Sequence, residues 1–393
     1  MNVRISVLGC SLMDYLYSPV SFSSKPFQTY TSVVPADGGI ELGKIVFTED
    51  LERYSGKHIQ DILTELVGNA HPKAINIGGP GIVSAICASQ LVPDGCDLSF
   101  FGARGNDRMG TILMEKLTTF PLNVAHLARF DGATASTYVL SDPNYGEGYG
   151  ERTFIFNIGV LSDISPMDIP QSCFEADIVL FGATAVMPRI HAQLDVLLER
   201  SKHAGALTIV TTVFDLLQEK EDPKKRWSMG SGERTFSFID LLICDKEEAF
   251  RLSGTTSVED ALGFFKRVGV KSTIVTQGKE DVVAYANSGP FSPFEMTHFP
   301  VSSLVDAEIH AGKAADGDTT GCGDNFAGGV LASIAMQTDK SLSGPIDLKD
   351  AIAWGIAAGG AACFHLGGTF MEDHAGEKRD IVERYYHHYK GCF

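Results

Sequence analysis

Asp318-Thr319-Thr320-Gly321-Cys322-Gly323-Asp324-Asn325-Phe326-Ala327-Gly328-Gly329 is the stretch from which the rest of the chain is read. The small residues Gly321, Cys322 and Gly323 precede a helical pattern over 324–336. Glycine lets the backbone turn sharply and lets a ligand approach it closely. The free N–H groups of the helix's first turn, at the positive end of its dipole, make an anion site. Asp324 stands at that site. Two readings of it stay open: an acidic residue stabilising a helix start by about 0.3–1 kcal/mol, or a general base that takes a proton from a hydroxyl attacking a phosphoryl group.

Outward from this turn, short apolar runs alternate with helical patterns. Strands are expected at 5–8, 98–101, 137–140, 178–181, 207–211, 241–244 and 273–276. Helices are expected at 81–90, 109–117, 190–204, 246–252, 258–268, 324–336, 348–363 and 377–389. This alternation predicts an α/β fold with a mainly parallel central sheet between helical layers, with ligands beyond the carboxyl ends of the strands. Two regions break the rhythm. Residues 18–72 are irregular, with a β-hairpin expected within 38–47, and read either as a lid or oligomerisation element or as a surface insertion. Residues 142–152 are rich in Gly, Tyr and acidic side chains between two strand-like stretches.

Composition narrows the partners. The 393 residues are 44% hydrophobic and 21% charged, the balance of a soluble globular protein. A net charge of −17 argues against nucleic acid or an anionic membrane as partner, but not against a polyphosphate held by backbone N–H groups and a metal. The eight cysteines form no CxxC pair or zinc-like cluster, as in a reduced, cytoplasmic protein. The opening Val3-Arg4-Ile5-Ser6-Val7-Leu8-Gly9 enters a strand without a signal-peptide pattern, and no run is long and apolar enough to cross a bilayer.

The 318–324 stretch resembles the second motif of the PfkB (ribokinase-like) carbohydrate kinases, Asp-Thr-x-Gly-Ala-Gly-Asp, with Cys322 in the alanine place. Further resemblances follow in family order: Gly9–Asp14, Gly78-Gly79-Pro80-Gly81, Gly102–Gly110, Gly150-Glu151-Arg152-Thr153, Asp245-Lys246-Glu247-Glu248, Thr276-Gln277-Gly278-Lys279 and 362–369. Val83 departs from the family, which commonly has asparagine there.

The resemblance implies a three-layer ribokinase-like domain over 1–393, with a small β lid from segments of about 15–50 and 131–157. It implies an ATP- and Mg2+-dependent kinase acting on a sugar hydroxyl, with Asp324 as base and the turn of Gly321, Cys322 and Gly323 as anion hole. Substrate would meet Asp14, Gly78, Gly79 and Arg152, although Arg152 also fits an exposed lid arginine. ATP would meet Asp245, Thr276, Gly278, Lys279 and Gly323, although Lys279 also fits a solvated side chain. Glu248 would position Mg2+ through water, with Asp245 in the family's asparagine place; Asp245 is equally a helix cap. Asp318 and Thr320 match a monovalent-cation loop used with K+. Gly105 and Asp107 read as structural turn residues. A nucleoside kinase of the same fold, served by a stacking surface such as Phe154 or Phe156, a catalytically silent binding relative, and a homodimer through the lid also stay open.

Overall fold

A computed structural model describes residues 3–392 apart from 35–36, 94–95, 149, 288, 315–316 and 339–343, and apart from the side chains of 147 and 148. Fourteen strands form two sheets. In chain order they are β1 (Val3–Gly9), β2 (Leu12–Tyr17), β3 (Ile45–Phe47), β4 (Ala74–Gly78), β5 (Cys96–Gly105), β6 (Asn123–Phe130), β7 (Ser136–Asp142), β8 (Glu151–Asn157), β9 (Ile178–Gly182), β10 (Leu207–Thr211), β11 (Leu241–Asp245), β12 (Ser272–Gln277), β13 (Glu280–Ala286) and β14 (Phe294–Phe299).

The large sheet runs β14-β13-β12-β11-β10-β9-β1-β5-β6. It is parallel from β6 to β12, and β13 and β14 close it antiparallel. Successive side chains of a strand point to opposite faces, and here both faces are apolar. Ile178, Leu180, Ile209 and Ile274 pack with the helices Pro80–Leu91, Cys322–Thr338, Leu348–Ala362 and Glu377–Gly391. Val179, Phe181, Val210 and Val275 pack on the other side with Leu194–His203, Lys246–Ser253 and Val258–Val268. A strand buried on both faces reads as a continuous apolar run, which is why these strands were visible in the sequence.

The second sheet runs β3-β8-β7-β2-β4. The expected strand at 137–140 belongs here, as part of β7, pairing with β2 and β8. One face of this sheet carries Asp14, Thr137, Arg152 and Phe154. The other carries Tyr17, Tyr138, Leu140 and Ile155, and most of segment 18–72 folds over it. The helices Lys25–Tyr30, Thr48–Ser55 and Ile59–Val67 bring Phe27, Tyr30, Leu51 and Ile62 against Leu140 and Ile155 in a separate small core.

The hairpin expected within 38–47 is absent. Asp37 accepts the N–H groups of Val33, Val34 and Gly39 and so forms a compact turn, Ile40 bridges back to Thr31, and 45–47 pair in parallel with β8. The helix expected over 190–204 is two, Pro188–His191 and Leu194–His203, because Gln193 leaves helical geometry at φ −121° and ψ 24°.

Three glycines bring the layers together at the carboxyl edge of the large sheet. A Cβ on Gly81 would lie 2.7 Å from Gly9 Cα, and one on Gly182 would lie 2.9 Å from Gly81 Cα. Gly81→Ala is therefore expected to cost about 1–3 kcal/mol by overpacking against backbone. Gly263→Ala, within Val258–Val268 and facing open space, is expected to gain up to about 1 kcal/mol. Urea unfolding of both variants checks the pair, and equal shifts would contradict the packing described.

Candidate active site

The carboxyl ends of β1, β10, β11 and β12 converge on the start of the helix Cys322–Thr338. Gly321 turns the chain into it at φ +74°, and a Cβ there would sit 2.4 Å from Gly368 Cα. The turn thus lies directly against 366–369. Asp318 locks it by accepting the N–H groups of Thr320 (3.0 Å) and Gly367 (3.1 Å) and the Thr320 hydroxyl (3.0 Å). Around Gly323 a Cβ would meet nothing within 4 Å, so the turn is open beside it, while the Cys322 N–H reaches back to the Thr319 carbonyl at 3.4 Å.

Asp324 is the third residue of this helix. It keeps an edge toward the groove, but protein surrounds it otherwise, and this desolvation lifts its pKa to about 7 against the pull of Arg152. Asp14, on β2, is buried. Burial, followed by the negative charge of Asp324, raises its pKa to about 7, and a hydrogen bond from Thr137 opposes the rise. Gly78 is obligatory beneath it, since a Cβ there would come within 2.0–2.6 Å of the Asp14 carboxyl atoms. Gly79, at φ +102°, starts the helix Pro80–Leu91. Arg152, on β8, donates to the Thr320 hydroxyl at 3.3 Å, so it reaches the 318–321 turn and is half-buried rather than exposed.

On the far side of the groove Asp245 caps the helix Lys246–Ser253, and Glu248 returns the bond to the Asp245 N–H at 3.0 Å. The Thr212 hydroxyl also donates to Glu248. Burial, then the adjacent Asp245, raises the Glu248 pKa to about 8. Two neighbouring carboxylates with a hydroxyl beside them form a hard-oxygen donor set that suits Mg2+, so cap and metal roles fit the same residues. Asp318 and Thr320 likewise supply only oxygen donors. Thr276 pairs with Asp245 across β12 and β11. Gly278, at φ +63°, makes the open turn that follows, and Lys279 is exposed on it. Val83 is buried and packs against Gly368.

Several residues carry the site without being singled out in the sequence. Asn325 donates to the carbonyls of Gly321 (2.9 Å) and Gly368 (2.8 Å). The buried Lys378 ammonium donates to Asn325 Oδ1 at 3.0 Å. Asn76, opposite Asp14, donates to Thr369 O at 3.0 Å and ties β4 to the same loop. An asparagine or lysine inside a helical pattern carries no local sign that its partner lies tens of residues away.

A family model described as pfkB family carbohydrate kinase matches residues 47–375. A fructokinase from Klebsiella pneumoniae is 25% identical over 263 residues, covering 66% of this chain and 78% of the relative. An adenosine kinase structure from Sinorhizobium meliloti superposes with a TM-score of 0.69 at 16% identity, over 98% of this chain and 99% of that one. A structure described as a ribokinase II from E. coli in complex with ATP and Mg2+ gives 0.64 at 16% identity, over 98% and 100%. The chain belongs to the pfkB family and has the ribokinase-like fold. Among the described residues no helix is long and apolar enough to cross a membrane.

The raised Asp14 pKa has a consequence for stability. Between the ordinary value of 3.8 and about 7 the native state holds a proton that the unfolded chain has lost. Stability contributed by this group therefore falls as pH rises through that window. Asp14→Asn is expected to make the ligand-free protein more stable than wild type by about 1–3 kcal/mol near pH 8, with the advantage shrinking toward pH 4. Denaturant unfolding across this range checks it, and a pH-independent difference would remove the electrostatic explanation.

Proposed function

We propose that this member of the pfkB carbohydrate kinase family phosphorylates a hydroxyl of a small sugar or sugar-like substrate with ATP, using Asp324 as general base. The observation that carries the reading is the placement of Asp324 in the first turn of a helix that is open beside Gly323, with Asp14 and Arg152 close enough for their charges to act on it. A base with a pKa near 7 accepts a proton at neutral pH and gives it up readily. The substrate hydroxyl loses its proton to Asp324 as its oxygen attacks the γ-phosphorus. The amides of the turn of Gly321, Cys322 and Gly323, with the Arg152 guanidinium, offset the charge that grows on the transferred group. Asp14 accepts substrate hydroxyls against the backbone of Gly78 and Gly79.

ATP lies in this reading along Asp245, Thr276, Gly278, Lys279 and Gly323. Glu248 and Asp245 would hold Mg2+, which would supply positive charge against phosphate, and Asp318 and Thr320 would be the oxygens for a monovalent cation such as K+. The second sheet, from about 15–50 and 131–157, acts as the lid that excludes water. The apolar patch of Leu140 and Ile155 is already covered by segment 18–72, so a lid dimer would have to use other surface. A cytoplasmic setting is supported by the eight free cysteines. Phe154, half-buried on the lid's inner face and topped by Arg152 at 5.7 Å, supports a nucleoside as the second reading. Phe156 packs on Phe47 in the core.

ATP consumption against a panel of sugars and nucleosides, with Mg2+ and with or without K+, tests the proposal. Asp324→Asn is expected to lower kcat by about 100-fold to 10,000-fold, and Arg152→Ala by about 100-fold. Turnover that ignores Asp324 would overturn the mechanism. No turnover on any substrate, with ligand binding retained, would favour a silent relative.

A further inference from the structure

The anion turn contains a pair of facing sulfurs. Cys322 is the first residue of the helix Cys322–Thr338, and Cys363 is the C-cap of the helix Leu348–Ala362. Their Sγ atoms lie 3.5 Å apart across 41 residues of chain, and both side chains are half-buried rather than sealed in the core. By contrast Cys10, Cys87, Cys173 and Cys244 are buried, where a thiol behaves as a small hydrophobe. Each member of the pair sits within the lock of the turn. Cys322 is flanked by Gly321 and Gly323, and Cys363 precedes the 365–367 segment that binds Asp318.

We propose that Cys322 and Cys363 form a reversible disulfide that closes the phosphate turn, so that the site works only while this pair is reduced. The proposal rests on the phosphate-turn reading of 321–324 given above. With a hydroperoxide as oxidant, the Cys363 thiolate sulfur attacks one peroxide oxygen and the O–O bond breaks. This leaves a sulfenic acid on Cys363, and the departing oxygen takes a proton to become water or an alcohol. The Cys322 sulfur then attacks the sulfenic sulfur. The S–S bond forms, the S–O bond breaks, and the leaving hydroxide takes the Cys322 proton as water. The peroxide is reduced by two electrons and the two thiols are oxidised. A dithiol reverses the step by exchange. Either thiol of the pair can donate to the other, and the thiolate is the reactive form.

Bond formation draws the sulfurs together by more than an ångström, and the surroundings give little room for it. A Cβ on Gly321 would already be 2.4 Å from Gly368 Cα, and one on Gly359 would be 3.0 Å from the Cys322 carbonyl oxygen. Cys322 is part of the turn, between Gly321 and Gly323, so in this proposal the turn and its N–H groups share the displacement. Positioned catalytic groups tolerate only about 0.5 Å, and a misplacement of about 1 Å can cost about 100-fold in rate.

The full chain carrying Cys392→Ser, which removes the exposed thiol, is treated with hydrogen peroxide, digested and examined by mass spectrometry. The expected result is a peptide cross-linked between 322 and 363 and a fall of about 100-fold in ATP turnover, both reversed by dithiothreitol. Cys363→Ser is expected to give no cross-link and turnover that peroxide leaves at that variant's own starting level. Absence of the 322–363 peptide overturns the proposal, as does a cross-link that leaves turnover unchanged. If the untreated protein turns over none of the panel, the kinase reading fails instead. The thiol pair is then judged by backbone hydrogen exchange over 318–326, which must change on oxidation, and unchanged exchange overturns it.

Discussion

The contact on which the site depends is backbone against backbone: Gly321 against Gly368, where no side chain fits. It sets the start of the helix Cys322–Thr338 against 366–369. The surrounding hydrogen bonds maintain it. Asp318 holds one side through Thr320 and Gly367, and Asn325 holds the other through the Gly321 and Gly368 carbonyls. Lys378 orients Asn325 from the C-terminal helix. A buried ammonium is tolerated because it is hydrogen-bonded; burial nevertheless pushes its pKa down. One lysine from the last helix thus fixes an amide that ties Gly321 to Gly368.

Placed this way, the site concentrates negative charge. Asp14, Asp318 and Asp324 share one end of the groove with Arg152, and Glu248 and Asp245 hold the other. The carboxyls of Asp14, Asp324 and Glu248 are pushed up in pKa by burial, with like charge adding to the rise at Asp14 and Glu248. Such an arrangement works against the empty fold and in favour of the loaded one. A neutral-range base and a strong demand for cations arise from the same desolvation. The protein's −17 charge is no obstacle to a polyphosphate when the local donors are amides, a guanidinium and metal.

The sequence disclosed these parts unevenly. Strands buried on both faces showed as apolar runs, and the glycine-rich turn before Asp324 announced a helix start, because those signals are local. A small β lid was expected from about 15–50 and 131–157, but β4 at Ala74–Gly78 and the first half of β2 at Leu12–Tyr17 lie outside those segments. Their pairing is long-range, and the face that carries Asp14 and Arg152 also carries Phe47 and Phe156 in the core, while the other is apolar under 18–72. The Gly38-Gly39 pair read as a hairpin turn because glycine signals turning, whereas Asp37 had already captured the neighbouring N–H groups. Lys378 and Asn325 were silent because a buried polar residue is identified by a partner that folding supplies.

The two sheets divide the chemistry between them. Asp14 and Arg152 stand on the small sheet, while Asp324, Glu248 and Asp245 stand on or beside the large one. The site is complete only where the sheets meet, along Arg152 to Thr320 and Asn76 to Thr369. The small sheet must therefore be stiff enough to carry two charged groups to fixed positions. A small sheet needs a packed apolar face to be stable. Segment 18–72 supplies it, packing Phe27, Leu51 and Ile62 onto Leu140 and Ile155, directly behind the strands that bear Asp14 and Arg152. The long irregular segment thus backs the surface from which Asp14 and Arg152 project.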